Sequence, residues 1–259
     1  MKRDSIRRGG CAIDVYSLNT VIVGTGAAGY NAADSLYSLG QRDIAIVTQG
    51  VNRGTSRNAG SDKQTYYKLT AASGQKDSVA DMARTYFAGG CMHGDIALIE
   101  AALSARCFFK LVDLGVDFPC DRYNQYVGYR TDHDACLRAT SAGPLTSRQM
   151  TERLEENVQR KGIRVFDGFQ VIAILTDGRG PHKKAIGLAA LNQARLTEEN
   201  RGLTLFNCTN VIYATGGPAG IYASSVYPAS QVGMSGIAFE AGARGTNLTE
   251  WQYGIASTK

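Results

Sequence analysis

The stretch Thr20-Val-Ile-Val-Gly-Thr-Gly-Ala-Ala-Gly29 constrains this chain more than any other. Its apolar run Val21 to Val23 reads as a strand and its glycines as a turn, and Ala27, Ala28, Ala32 and Ala33 open a helix of small residues. A strand before and a helix after are the context in which glycines at this spacing form a dinucleotide-binding turn. Gly24 permits the tight turn. Gly26 has no side chain, so a pyrophosphate can approach backbone N–H groups at the helix N-terminus, where the dipole favours anions. Gly29 lets the helix pack closely on the strand. A second strand, Asp43-Ile-Ala-Ile-Val47, arrives about 20 residues after the turn, as a βαβ unit requires. The acid that commonly bonds a ribose hydroxyl after that strand is missing: Thr48 and Gln49 stand there, and Asp43 lies at the other end. Neutral Thr or Gln still hydrogen-bonds a ribose, so the reading is a nucleotide site other than a standard NAD site.

With 259 residues the chain has room for one large domain or two modest ones. Its 30 glycines against 5 prolines suit the turns and close backbone approaches of a nucleotide-binding α/β protein. The longest apolar runs, such as Val171-Ile-Ala-Ile-Leu175, are strand-sized and far short of the ~20 residues of a membrane helix. No apolar core follows the basic start Met1-Lys-Arg-Asp-Ser-Ile-Arg-Arg8, so nothing supports secretion. The net charge of +5 is spread rather than blocked, which argues against nucleic acid as a partner. Cys11, Cys91, Cys107, Cys120, Cys136 and Cys208 form no Cys-x-x-Cys pair, and His93, His133 and His182 show no ligand spacing. The expectation is reduced thiols, no metal site and a cytoplasmic location.

Residues 50–75 are rich in Gly, Ser, Thr, Asn and Lys and read as a long loop, a feature that is usually functional in compact domains. From Asp77 to Leu114 the spacing of Ile96, Leu98, Ile99, Leu103, Phe108 and Leu111 predicts helix, ended by Gly115. An extended segment, Val116-Asp-Phe118, follows. Residues 119–142 read as irregular, with Tyr123, Tyr126 and Tyr129 as surface or core-packing residues rather than a ligand platform. Ser147 to Lys161 is helical and closed by Gly162. Ile163 to Phe166, Val171 to Leu175 and Ala185 to Leu191 are strand-like, with a turn at Asp177-Gly178. With Leu203 to Phe206 they suggest a small antiparallel sheet inserted into the nucleotide fold. Asn210 to Ala214 reads as a buried parallel strand.

Ala214-Thr-Gly-Gly217 follows that strand, then Gly220, Tyr222 and Phe239-Glu-Ala-Gly-Ala243. Together with the first glycine turn, Gly54-Thr-Ser56, Ala59-Gly60, Gly89-Gly90, Asp95, Leu98 and Leu114-Gly-Val-Asp-Phe118, this order resembles the flavoprotein subunits of the fumarate reductase and succinate dehydrogenase family. The likeness runs from about Asn19 to Gln252. It implies a Rossmann-like FAD-binding domain at 19–250, α/β with a parallel sheet and a small antiparallel β insertion, after an N-terminal tail at 1–18. By match, Gly24, Gly26, Ala27, Ala28 and Gly29 would cradle the pyrophosphate, and Thr48 and Gln49 would sit by the adenosine ribose. Gly54, Thr55, Ser56, Asn58, Ala59, Gly60 and Ser61 would line the isoalloxazine or ribityl chain. Val171 would meet the adenine through its backbone, and Ala214, Thr215 and Gly216 would pass beside the dinucleotide. Glycines and small hydroxyl residues let a large flat cofactor lie against backbone amides.

Three departures refine what the resemblance implies. Members with covalent flavin carry a His in the loop matched by 53–61, and none stands there, so FAD is expected to be non-covalent. Gln231-Val-Gly-Met234 replaces the family's Thr-Gly-Asp-Gly. Glu250-Trp-Gln-Tyr-Gly-Ile-Ala-Ser257 keeps only Gln252 of Gln-x-His-Pro-Thr-Gly, which argues against fumarate or succinate as substrate. Residues 251–259 match the start of a substrate-capping domain, so this chain alone is expected to be inactive, with no catalytic residue assigned. His133 in Thr131-Asp-His-Asp134 is a candidate acid or substrate ligand, or a structural residue, and Asp95 reads as a helix start. The reading is an FAD-dependent oxidoreductase exchanging hydride with a small carboxylate-bearing or unsaturated substrate, with an electron-transfer partner. An NAD(P)-dependent dehydrogenase and a non-catalytic nucleotide-binding module stay open as alternatives.

Overall fold

The computed structural model describes residues 1–60, 64–72, 74–131, 134–217 and 234–248. The chain divides into two compact units, residues 1–59 with 154–244 and residues 60–153 with 245–259.

The first unit is built on one long strand. Lys2–Arg8 (β1) turns through Gly9 and Gly10, at φ +57° and +87°, into Cys11–Val23 (β2). Two successive left-handed residues make the tight turn that matches the twist of a hairpin. Residues 1–18, expected as a tail, are thus part of the sheet: β1 pairs antiparallel with the first half of β2, from Lys2↔Ser17 to Arg8↔Cys11. The second half of β2 is the strand ahead of the glycine turn. It pairs in parallel with Ile44–Thr48 (β3), which pairs in parallel with Arg164–Asp167 (β7). All five β3 residues are buried, as expected for a parallel strand covered on both faces. Ala27–Ser38 (α1) packs against β2 and β3.

The halves of β2 meet at Asn19 and Thr20. The N–H groups of Asn19 and Thr20 both donate to Asp43 O at 3.2 Å, and the Asp43 carboxylate accepts from Asn19 N at 2.8 Å. The buried side chains change parity here, so Tyr16 and Leu18 share the core with Val21 and Val23, and the neighbouring strand Leu203–Tyr213 changes in step in unbroken register, Phe206 and Cys208 with Val211 and Tyr213. The Asp43 carboxylate also meets the Met1 amino group at 2.5 Å.

On the other side of β2, the strand segments 203–206 and 210–214 form one strand, Leu203–Tyr213 (β10). It is parallel to β2 along its length, and its first half is antiparallel to Lys184–Asn192 (β9), which pairs with Phe169–Asp177 (β8). The order β7-β3-β2-β10-β9-β8 therefore carries the expected antiparallel strands in the same sheet as the parallel ones, because β10 takes part in both. Its end, Val211 to Tyr213, is half-buried rather than buried. Tyr16, Phe166 and Phe206 meet with ring centres 4.7–5.6 Å apart and hold β2, β7 and β10 to one core with Val171, Leu188 and Ala190. Thr146–Arg160 (α5) ends in this unit, where Lys161 and Asn157 both reach the buried carboxylate of Asp34 on α1.

The second unit contains Val79–Ala88 (α3) and Gly94–Asp113 (α4). Ser78 caps α3 by accepting from Asp81 N at 3.1 Å. The stretch expected to be irregular contributes Tyr129–Thr131 (β5) and Asp134–Thr140 (β6), which form a small sheet with Tyr66–Tyr67 (β4). Tyr126 packs on Phe108 at 5.2 Å, whereas Tyr123 is exposed. The helix phase of α4 departs from the apolar spacing: Ala97, Ala101, Ser104, Phe108 and Leu111 face inward, and Ile96, Leu98, Ile99 and Leu103 are exposed. Small residues win this face because they allow close packing, as the 3.7 Å approach of Ser104 Oγ to Met82 Sδ on α3 records.

Lys68 is fully buried in this unit, its ammonium 4.7 Å from the Phe108 ring centre and 3.4 Å from Leu69 O. Burial pushes its pKa below 10.5, opposed by Asp77. The unfolded chain then binds more protons, so Lys68 penalises folding fully below its folded pKa and progressively less as pH rises toward 10.5. Lys68→Met, which keeps the contact with Phe108, should stabilise the protein at pH 7 by about 1–2 kcal/mol. It should also flatten the gain in stability between neutral and alkaline pH. Denaturant unfolding at the two pH values checks this, and a less stable variant at pH 7 would contradict it.

Candidate nucleotide-binding site

The carboxyl ends of β2, β3 and β10 converge, and with the loop at 54–59 they bring together most of the residues singled out by sequence. The three glycines of the turn are required for three different reasons. Gly24 has φ +105°, its N–H donates to Val47 O at 2.9 Å, and a Cβ there would stand 2.5 Å from Ala214 O. Gly29 lies buried in α1, where a Cβ would stand 2.0 Å from Gly24 O. Both are demanded by the fold itself.

Gly26 is different. It precedes α1 with φ −76° and ψ 179°, a conformation open to any residue, and has no side-chain cap. Among the described residues a Cβ on it would meet only the Ser56 side chain, at 3.2 Å from Oγ. The first intrahelical bond of α1 is Tyr30 N–H to Gly26 O, at 3.1 Å. The N–H groups ahead of it have no helical acceptor. Ala27 N–H donates weakly to Ser56 Oγ at 3.3 Å, and Ala28 is exposed. The result is a shallow cradle of backbone donors at a positive helix end, floored by an atom that a side chain would cover. That is the geometry a pyrophosphate fits.

Thr48 and Gln49 divide their roles. The Thr48 hydroxyl is buried and engaged, 3.0 Å from Thr25 Oγ1 and accepting from Gly50 N–H at 3.3 Å, so it ties the glycine turn to the end of β3. Gln49 is half-buried, and its side chain makes no such tie among the described residues. Thr25 was not singled out by sequence; its role depends on a partner 23 residues away. Asp167, also missed, ends β7 in register with Thr48 and accepts from Val51 N at 3.0 Å.

Gly54, at φ +90°, precedes the short helix Thr55–Asn58 (α2). Asn58 Nδ2 donates to both Asn52 O and Gly54 O at 2.9 Å, so its side chain closes this turn. Arg57 pairs with Glu155 on α5. Both lie by the buried Tyr30, whose phenol is pushed above its usual range by burial and then by Glu155. Ala59 ends α2 with its N–H on Thr55 O at 2.8 Å. Gly60 belongs to the second unit, and Ser61 and His133 lie outside the described residues.

Ala214 N–H donates to Val23 O at 2.9 Å, which carries the β10 chain past Gly24, with Thr215 half-buried and Gly216 exposed at φ +77°. Val171 turns its side chain into the core. Only its backbone is available to a ligand, on the last strand of the sheet path and beside a bulge at Ile172. Gln231 to Gly233 and the 250–257 run lie outside the described residues. Among the described residues no group of three His, Cys, Asp or Glu converges, and no helix is long and apolar enough to cross a membrane.

Residues 19–259 match the family model described as the FAD binding domain. The chain is 24% identical over 239 residues to L-aspartate oxidase of Streptomyces coelicolor, covering 91% of this chain and 39% of that protein. Among solved structures, the Mycobacterium smegmatis Sdh1 complex in the apo form superposes with a TM-score of 0.72 at 21% identity, over 88% of this chain and 39% of that one. The E. coli quinol fumarate reductase FrdA gives a TM-score of 0.70 at 21% identity, over 83% and 35%. The structural likeness is one of fold, and the chain spans well under half the length of these relatives.

Proposed function

Because the chain belongs to the FAD binding domain family, we propose that it is the flavin-binding part of an FAD-dependent oxidoreductase. Its substrate is a small, carboxylate-bearing or unsaturated molecule, and a further protein exchanges electrons with the enzyme. The observation that carries this reading is the bare Cα of Gly26, which nothing among the described residues requires and a pyrophosphate does. In this assignment Gly24, Gly26, Ala27, Ala28 and Gly29 hold the pyrophosphate on backbone N–H groups. Gln49 reaches the adenosine ribose, while Thr48 fixes the turn from below. Gly54, Thr55, Ser56, Asn58, Ala59, Gly60 and Ser61 border the isoalloxazine and ribityl chain. Val171 meets the adenine by its backbone, and Ala214, Thr215 and Gly216 flank the dinucleotide. FAD, when bound, supplies hydride acceptance and donation; the residues named here position it and shield it from water.

The flavin is held without a covalent bond, since residues 53–61 contain no His. The scattered spacing of the six cysteines, with no Cys-x-x-Cys pair, supports a reducing, cytoplasmic setting. Residues 251–259 are assigned to the start of a substrate-capping domain. Titration with FAD and with NADH tests the cofactor: FAD should bind more tightly, and tighter NADH binding would overturn the assignment in favour of a nicotinamide dehydrogenase. Acid precipitation of the loaded protein should release the yellow flavin into the supernatant. Flavin fluorescence retained on the denatured chain would contradict non-covalent attachment.

A further inference from the structure

The β1–β2 hairpin stands apart from the nucleotide site and from the family match, which begins at Asn19. Every residue of β1 is exposed, and among the described residues β1 pairs with β2 alone. Seven residues of strand edge are therefore open. In a hairpin with a two-residue turn, the pair flanking the turn exchanges both backbone bonds and the pattern then alternates. Arg8, Ile6, Asp4 and Lys2 bond to β2, and Arg3, Ser5 and Arg7 direct their N–H and C=O groups outward. The Ser5 N–H agrees: it donates to the Asp4 carboxylate at 2.9 Å instead of to β2.

This edge is basic. Lys2, Arg3, Arg7 and Arg8 lie on it against one acid, Asp4. Arg3 is shared with Asp14 at 3.1 Å and Lys2 with Asp4 at 3.4 Å, while Arg7 and Arg8 make no ion pair among the described residues. Charged edges commonly guard a sheet against association with itself. That holds here: antiparallel pairing of two copies centred on Ser5 would set Arg3 against Arg7 and Lys2 against Arg8, like charges directly opposite. The same arrangement favours a strand of the other sign.

We propose that β1 is a docking edge for an extended acidic segment of another protein, which adds to the sheet as a further strand. The outward backbone groups of Arg3, Ser5 and Arg7 would bind its main chain, and the four cations would select its carboxylates. An anionic membrane would use the charges but leave the backbone edge unmatched, so the strand is favoured.

The test uses a labelled peptide of alternating glutamate and valine, a version interrupted by prolines, and vesicles of anionic phospholipid. The intact protein should bind the alternating peptide and slow amide exchange at Arg3, Ser5 and Arg7. Ser5→Pro removes an outward N–H at a position where an edge strand accepts proline, so the hairpin should persist. It should weaken peptide binding at least about tenfold, as should the charge reversal Arg7→Glu with Arg8→Glu. Circular dichroism and FAD binding should be unchanged in both variants. Absence of peptide binding, equal binding by Ser5→Pro, equal binding of the proline-interrupted peptide, or binding to vesicles alone would each overturn the proposal.

Discussion

Gly26→Val should leave the protein folded and weaken FAD binding at least 100-fold, roughly 2.8 kcal/mol at about 1.4 kcal/mol per decade. The backbone at Gly26 needs no glycine, since φ −76° and ψ 179° suit a valine. Among the described residues the only neighbour within reach of a Cβ is the Ser56 side chain, which can rotate away at the cost of one weak bond to Ala27 N–H. The structural loss should therefore stay within about 1 kcal/mol, as for an apolar residue ahead of a helix. The branched side chain would instead fill the space through which a pyrophosphate reaches the first N–H groups of α1. Gly24→Val and Gly29→Val are the contrast. Their side chains would meet backbone oxygens at 2.5 and 2.0 Å, so both should lose the fold along with the ligand. Fluorescence titration with FAD, alongside thermal unfolding, separates the cases. A folded Gly26→Val protein with unchanged affinity would show that the turn serves only the fold.

What was legible in the sequence is what depends on neighbours along the chain. The strand, glycine turn and helix at 20–38 lie in one segment, so spacing alone exposes them. Features that join distant segments were not legible. Asp43 reads as an acid at the wrong end of β3, and its oxygens take the N–H groups of Asn19 and Thr20, 24 and 23 positions earlier. Thr48 reads as a ribose contact, and the tie of its hydroxyl to Thr25, 23 positions earlier, has no signal along the chain. The spacing of Ile and Leu marks α4 as a helix, but its inward face was not legible because the stripe of Ala97, Ala101 and Ser104 carries little apolar signal. β5 and β6 escaped notice since their strands are short, polar and stabilised by a buried ion cluster rather than by alternation. That cluster gives the second large effect.

Arg138→Met should destabilise the second unit by about 3–5 kcal/mol, the range for removing one partner of a buried charge pair. The Arg138 side chain on β6 is 1% exposed and grips Asp77 by two parallel bonds, Nε to Oδ2 at 3.0 Å and Nη2 to Oδ1 at 2.6 Å. Its Nη1 donates to Thr85 Oγ1 on α3 at 2.8 Å and to Tyr67 Oη on β4 at 3.3 Å, and faces Asp134 at 3.4 Å. Asp77 also accepts from Thr70 N and Ser78 N, so one guanidinium ties β4, β6 and the start of α3 together. Methionine fills much of the volume and leaves two carboxylates, Asp77 and Asp134, without the guanidinium that bonds them. The pH dependence identifies the cause. Burial alone would push the Asp77 carboxyl up, but Arg138 and the N–H groups of Thr70 and Ser78 hold it below 3.8. In the native protein the stability it contributes is present above pH 3.8 and lost as pH falls through the lower folded value. Without the guanidinium, burial prevails over the remaining N–H bonds and the carboxyl prefers to be protonated, so the variant's deficit should be largest at pH 7 and shrink on acidification. Amide exchange in α3 and β6, with urea unfolding at pH 7 and 5, measures both effects, and Asp77→Asn in the Arg138→Met background should recover part of the loss. A deficit that stays constant with pH, and is not relieved by Asp77→Asn, would place the cost in lost packing instead of in a stranded charge.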